Sequence, residues 1–233
     1  MRIGTLLGLN RYPVKSMRGE SLERATVEPR GVIADRLWAV LDPDGKLGSG
    51  KSTQRFRKMD GLLFCRAELA GDGVIVTLPD GARYDGDDPA LAAALSGVVG
   101  RSVTLGKEGA IPHHDAAAVH VLTTASLRTL SALVGEESLD PRRFRANILL
   151  DVDGDGFVED AWVGRRIAIG DVVLRIQAPS PRCVMVDAAQ GDDLPADGRL
   201  LKLISDQNAL NLGVKAEVVS AGTLIVGSPV ELV

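Results

Sequence analysis

Twelve short apolar runs, most of them bounded by Gly, Pro, Asp or Asn, divide this 233-residue chain and restrict it to folds built mainly from strands. The expected strands are Ile3–Leu9, Ala25–Glu28, Leu37–Asp42, Leu62–Leu69, Val74–Leu78, Val119–Thr123 and Arg145–Leu150. Arg166–Ile169, Val172–Ala178, Ala216–Val219, Thr223–Val226 and Val230–Val233 complete the set. Gly170-Asp171 between two runs reads as a two-residue hairpin, and Pro43-Asp44-Gly45 and Pro79-Asp80-Gly81 read as turns. Helical spacing is confined to Pro89–Val99, with Asp88 ahead and Gly100 behind, to Thr124–Val134 before Gly135, and to a weaker Asp197–Ser205. Many short strands and few helices indicate barrels or a β-dominated α+β fold rather than a doubly wound sheet. The acidic loop and Ala-rich helix over 85–100 mark a soft domain boundary.

Charge and cysteine content narrow the function. The formal net charge is −4, which argues against a general nucleic-acid binder. Residues 1–60 nevertheless carry 12 Lys/Arg against 7 Asp/Glu, whereas residues 68–100 carry only Arg83 against six acids. The basic first segment reads either as scattered solvated charge or as the cationic half of an anion site. Two cysteines, Cys65 and Cys183, cannot make a disulfide framework or a four-thiolate cluster. Asn10 and Arg11 interrupt the N-terminal apolar stretch before a signal core forms. No run approaches the roughly 18 apolar residues of a membrane span. A cytoplasmic location with reduced thiols is therefore expected.

Two motifs invite a metal or nucleotide reading and lack its context. Gly45-Lys46-Leu47-Gly48-Ser49-Gly50-Lys51-Ser52 fits the phosphate-binding G-x-x-x-x-G-K-[ST] pattern. A turn separates it from the preceding strand, and Thr53–Met59 leaves room for at most two helical turns, so a basic glycine-rich hairpin and loop is expected. Asp151-Val152-Asp153-Gly154-Asp155-Gly156 opens like a calcium loop, but Trp162 stands where the bidentate Glu belongs. An acidic surface turn is expected there.

Cys183 follows Ala178-Pro179-Ser180-Pro181-Arg182 at the end of an expected strand. The prolines stiffen the turn, and Arg182 favours a thiolate if its charge lies near the sulfur. The pattern suits a nucleophile or a soft-metal ligand; a buried, inert thiol is the alternative. Cys65 has apolar strand neighbours and is expected in the core. His113, His114 and His120 have no accompanying Cys-x₂₋₄-Cys pair, so zinc with Cys183 is not expected, and His120 reads as a strand residue near a pocket or in the core.

Tyr12-Pro13-Val14-Lys15-Ser16, Gly31 with Asp35-Arg36-Leu37-Trp38, Arg143-Phe144-Arg145-Ala146-Asn147-Ile148, Glu159-Asp160-Ala161-Trp162 with Gly164 and Ile169-Gly170-Asp171, and Pro181-Arg182-Cys183 occur in this order over nearly the whole chain. Together they resemble the MOSC-domain proteins, the molybdenum cofactor sulfurase C-terminal type with an N-terminal β-barrel domain. Within that family the chain is similar to the amidoxime-reducing component proteins.

The resemblance implies an α+β, β-dominated fold of two β-barrel-like lobes with a few short helices, divided as 1–88 and 89–233, with a molybdenum cofactor (Mo-molybdopterin) between them. Cys183 matches the family's molybdenum ligand, and a thiolate is a soft donor suited to that role. Lys15, Ser16 and Arg36 match cofactor and phosphate contacts, and Arg145 and Asn147 match the Phe-Arg-x-Asn contacts. Thr124 or Ser126, at a helix start, would donate hydroxyls to the pterin, and Arg182 would flank the metal. Arg143 and Arg145 are read as strand residues of which only one faces the site, with Asn147 sharing the Arg145 face. Pyridoxal phosphate, associated only with distant relatives, is not expected.

The implied activity is a molybdenum-dependent oxidoreductase that removes oxygen from N-hydroxylated, amidoxime-like compounds. The chain has no cysteines for an iron–sulfur cluster and no G-x-G-x-x-G fingerprint, so electrons would come from a separate protein or reductase. The alternative is a non-redox carrier that uses Cys183 to hold a persulfide or deliver the cofactor. Arg55, Arg57 and Lys58 read as solvated loop charges or as a docking patch for an acidic donor.

Overall fold

The computed structural model describes residues 1–115 and 117–233. Seven strands close into a barrel: Ile148–Asp151, Val119–Thr123, Asn211–Ser220, Val172–Pro181, Arg166–Ile169, Pro229–Leu232 and Arg2–Arg11, which pairs back onto Ile148–Asp151. Closure leaves the barrel without a free edge. Its neighbours are antiparallel except Val119–Thr123 and Ile148–Asp151. A parallel pair needs a crossover, and helix Thr124–Val134 supplies it. The Thr123 hydroxyl caps that helix by accepting from the Ser126 N–H, and Gly135 ends it at φ 79°. Alternating apolar residues such as Leu6, Ile148, Leu150, Ile167 and Leu174 fill the interior.

The second lobe combines a four-stranded sheet (Thr104–Lys107, Trp38–Leu41, Leu47–Ser49, Phe56–Lys58) with the meander Arg66–Ala70, Gly73–Thr77 and Arg83–Asp85. Helix Leu91–Val99 buries Leu91 and Leu95 in the same core as Val14, Met17, Trp38 and Cys65. The small sheet Gly222–Ile225, Arg24–Glu28 and Gly31–Val32 packs into the barrel core instead.

The β-dominated architecture with three short α-helices among the described residues agrees with the strand pattern. The two cores, however, interleave along the chain. Residues 2–11 and 24–32 belong to the barrel made mostly by 119–232, whereas 91–99 and 104–107 belong with 14–85. A cut between 88 and 89 separates helix Leu91–Val99 from its own core and removes a barrel strand.

Three expected elements differ for physical reasons. Leu62–Leu69 breaks into a 3-10 turn, Asp60–Phe64, and the strand Arg66–Ala70. Consecutive Leu62 and Leu63 are both buried, which an alternating strand cannot provide. Arg145–Leu150 begins as a strand only at Ile148. Pro141–Phe144 is a 3-10 turn and Arg145 lies at φ 56°. The expectation that only one of Arg143 and Arg145 faces the site from a strand is thereby corrected: neither is on a strand, and both line one cavity. The third helix is Leu200–Asn208, displaced toward the C-terminus. The Gly45–Ser52 loop leads into the strand Phe56–Lys58 rather than a helix, and the acidic turn at 151–156 precedes a 3-10 turn with Trp162 buried. Both rejected motifs thus remain without the elements their ligands require.

Leu6 is fully buried on the strand that closes the barrel. Leu6→Ala is expected to destabilise the chain by about 2–5 kcal/mol in chemical denaturation. A fragment 89–233 is expected to show no cooperative thermal transition.

Candidate functional site

The first barrel strand runs directly into Tyr12–Ser16, which crosses to the second lobe. Asn10 N–H donates to Asn147 O at 2.8 Å on the barrel side, and Lys15 N–H donates to Trp38 O at 2.8 Å on the other. A cavity of about 360 Å³ lies at this crossing. Lys15, Ser16 and Arg36 line it from one side, and Arg145, Asn147, Arg182 and Cys183 from the barrel. Six non-glycine residues have positive φ among the described residues, and three of them, Ser16 (66°), Arg36 (50°) and Arg145 (56°), line this cavity. Such backbone costs on the order of 1 kcal/mol per residue and clusters at functional sites.

The cavity holds more positive charge than its carboxylates neutralise. Lys15 is buried, which pulls its pKa down, and Asp115 opposes that by accepting from Nζ at 2.6 Å. Arg36 pairs with buried Asp35 and donates to Arg145 O at 3.0 Å. Arg145 and Arg182 have no ion pair among the described residues. Burial, reinforced for Arg145 by neighbouring Arg36, pulls each down to about 10. Arg182 donates to Phe144 O at 2.6 Å, yet its Nε and Arg145 Nη1 are buried without a partner among the described residues. A buried unpaired donor costs about 1–3 kcal/mol, so these two N–H groups favour an acceptor entering the cavity.

Cys183 lies partly exposed at the mouth, one residue from Arg182 and just ahead of the 3-10 turn Val184–Val186. Met185 of that turn packs against Gly50 of the second lobe and closes one wall. His120 faces the cavity beside Arg182 Nη1 at 3.4 Å. Burial and then the Arg182 charge hold its pKa well below the ordinary value, so the ring is neutral. Asn147 lines the wall, but its amide is engaged with backbone: Oδ1 accepts from His120 N–H and Nδ2 donates to Asn10 O. Ser16 Oγ donates to Gly48 O at 3.0 Å.

Thr124 and Ser126 are not in the cavity. Ser126 Oγ donates to the buried Glu159 carboxylate at 2.7 Å, and Thr124 Oγ1 donates to Asp151 at 3.0 Å, so both hydroxyls serve the barrel and its helix. Glu159 is the hidden partner that the sequence did not reveal. The loop cations are also consumed internally: Arg57 binds Asp42 and Asp44, Lys58 pairs with Asp60, and Arg55 donates to Pro112 O. Cys65 is fully buried, and burial pushes its thiol up to about 12, the inert state expected of it. Lys51, Phe56 and Asp115 line the cavity without having been singled out as contacts. Asp115 bore no signal beyond its carboxylate. Among the described residues, no group of three or more His, Cys, Asp or Glu side chains could hold a metal ion. No helix among them is long and apolar enough to cross a membrane.

The chain resembles known proteins in sequence and in fold. The MOSC domain family matches residues 108–231, and the MOSC N-terminal beta barrel domain family matches residues 3–122. Mitochondrial amidoxime reducing component 2 of Bos taurus is 25% identical across 79% of this chain and 66% of its own length. The Homo sapiens protein of the same name is 24% identical across 98% of this chain and 83% of its own length. The crystal structure of the YUAD protein from Bacillus subtilis superimposes with a TM-score of 0.56 at 12% identity, covering 98% of this chain and 94% of that one, a likeness of fold. With family matches that each span more than half of its residues, the chain belongs to the MOSC-domain proteins.

Proposed function

We propose that the interlobe cavity binds the molybdenum cofactor and that the protein is an oxidoreductase acting on N-oxygenated, amidoxime-like compounds. The observation that carries this reading is a pair of buried donors with no partner among the described residues, Arg145 Nη1 and Arg182 Nε, on residues that line the same cavity as Cys183. The residues fit such a group. A phosphorylated pterin is an anion, and Lys15, Arg36, Arg145 and Arg182 supply charge that the protein leaves partly uncompensated. With no multidentate metal site among the described residues, the cavity suits a metal that arrives with most of its ligands and takes one soft donor from Cys183.

When bound, the cofactor would supply the redox chemistry. The chain's own residues bind and orient. Arg145 and Arg182 satisfy their free N–H groups on anionic oxygens, and low local dielectric strengthens those bonds. Arg182 holds positive potential beside Cys183. Neutral His120 and the Asn147 amide fix the barrel wall behind Arg182. Removal of oxygen as water consumes two protons from solvent and two electrons from a separate donor. The mitochondrial relatives are named for amidoxime reduction, which supports this substrate class.

Freshly purified protein is expected to contain about one molybdenum per chain by elemental analysis and to reduce benzamidoxime with an artificial electron donor. Cys183→Ser is expected to lose the metal, whereas Cys65→Ser keeps it. Readily exchanged cofactor without turnover would identify a carrier instead. Absence of molybdenum, together with no uptake of supplied cofactor, would refute both.

The charges also set a pH dependence. Arg145 and Arg182 have folded pKa values below the ordinary 12.5, so holding them charged costs the empty fold stability below about pH 10, and the cost fades above it. A bound anion offsets that cost. Sulfate, whose charge stays constant in this range, is expected to raise the melting temperature of the metal-free protein at neutral pH. The gain is expected to shrink as pH rises through about 10, where Arg145 and Arg182 lose charge and Arg36 keeps it. An unchanged gain above that pH would contradict the assignment.

A further inference from the structure

We infer that Tyr12 is a positioning residue of the anion site, the shared aromatic partner that lets Arg36 and Arg145 stand charged in one desolvated cavity. The inference rests on the anionic-ligand reading above. Tyr12 is 5% exposed, in the segment that leaves the closing barrel strand. The Arg36 guanidinium lies 4.5 Å from its ring centroid and that of Arg145 lies 4.4 Å away. A guanidinium over an aromatic face is attracted by the ring quadrupole, more strongly where water is excluded.

The backbone fixes this ring with care. Tyr12 N–H donates to Asp35 Oδ1 at 2.8 Å, while Asp35 Oδ2 accepts from Arg36. Arg36 N–H donates to Tyr12 O at 2.7 Å, and Arg36 Nη2 donates to Arg145 O at 3.0 Å. Tyr12, Asp35, Arg36 and Arg145 thus form a closed circuit of contacts.

The two arginines depend on the ring unequally. Arg36 has Asp35 as a counter-ion. The Arg145 guanidinium has no hydrogen bond or ion pair among the described residues, and Arg36 repels it. The Tyr12 ring is therefore what holds Arg145 in place with a donor still free. Tyr12 and Arg145 also line a second cavity of about 280 Å³, and the lining of the cavity proposed for the ligand includes Arg145 but not Tyr12. Its action is through Arg145, by orientation, and needs the electron-rich ring rather than the hydroxyl.

The test is calorimetric titration of sulfate into metal-free protein carrying Tyr12→Phe or ring-fluorinated phenylalanines at position 12. Fluorination drains the quadrupole and nearly preserves shape, so a packing role would not respond to it. Tyr12→Phe is expected to keep affinity within about twofold, and three fluorines to lower it by roughly five- to tenfold, rising stepwise with each fluorine. In an Arg145→Ala background the same series is expected to have a clearly smaller slope. A flat series in protein that binds sulfate and melts like wild type overturns the role of Tyr12 and leaves the anion site standing. Loss in Tyr12→Phe as large as in the fluorinated series also overturns it, by making the hydroxyl the determinant. Failure of wild-type protein to bind sulfate overturns the anion site itself.

Discussion

Like charges crowded into a crevice with too few carboxylates are the constraint around which this structure is arranged. Lys15, Arg36, Arg145 and Arg182 line one cavity, and among the described residues only the first two have acidic partners. Left alone, such a cluster would dissolve into solvent. It persists because its members are fixed from the backbone outward. Ser16, Arg36 and Arg145 occupy left-handed conformations, and Arg182 is tied to Phe144 O. The conformational cost is modest per residue but adds up, which is why strain of this kind is retained mainly where a ligand offsets it.

Barrel closure makes that fixation possible. Arg2–Arg11 completes the ring of strands by pairing with Ile148–Asp151 and Pro229–Leu232. Its continuation then delivers Tyr12, Lys15 and Ser16 opposite Arg145 and Arg182. The N-terminal segment is at once part of the barrel and one wall of the site, so loss of its packing would dismantle both. The two lobes are in this sense one construction, interleaved in sequence and joined at the functional crevice.

Much of the fold was legible because burial alternates along most strands. Val119–Thr123, Arg166–Ile169 and helix Thr124–Val134 have the bounds that their spacing and flanking residues indicate. Legibility failed where consecutive residues share one environment, as at Leu62 and Leu63, and where a left-handed residue breaks a run, as at Arg145. The site followed the same rule. Residues marked by a local motif, Lys15, Arg36 and Cys183 among them, converge on the cavity. Ser126 and Thr124 were misplaced because their partners, Glu159 and Asp151, lie 33 and 27 residues away in sequence. Tyr12 was visible only as part of a motif; its two cation contacts exist only in three dimensions.

The central claim is that one soft donor and a set of undercompensated cations define a single ligand position between the lobes. Anomalous diffraction at the molybdenum edge, from crystals of cofactor-loaded protein, tests it directly. The account predicts one strong peak in the interlobe cavity, within bonding distance of Cys183 Sγ and absent in Cys183→Ser. A peak elsewhere, or one that survives that substitution unchanged, would contradict it.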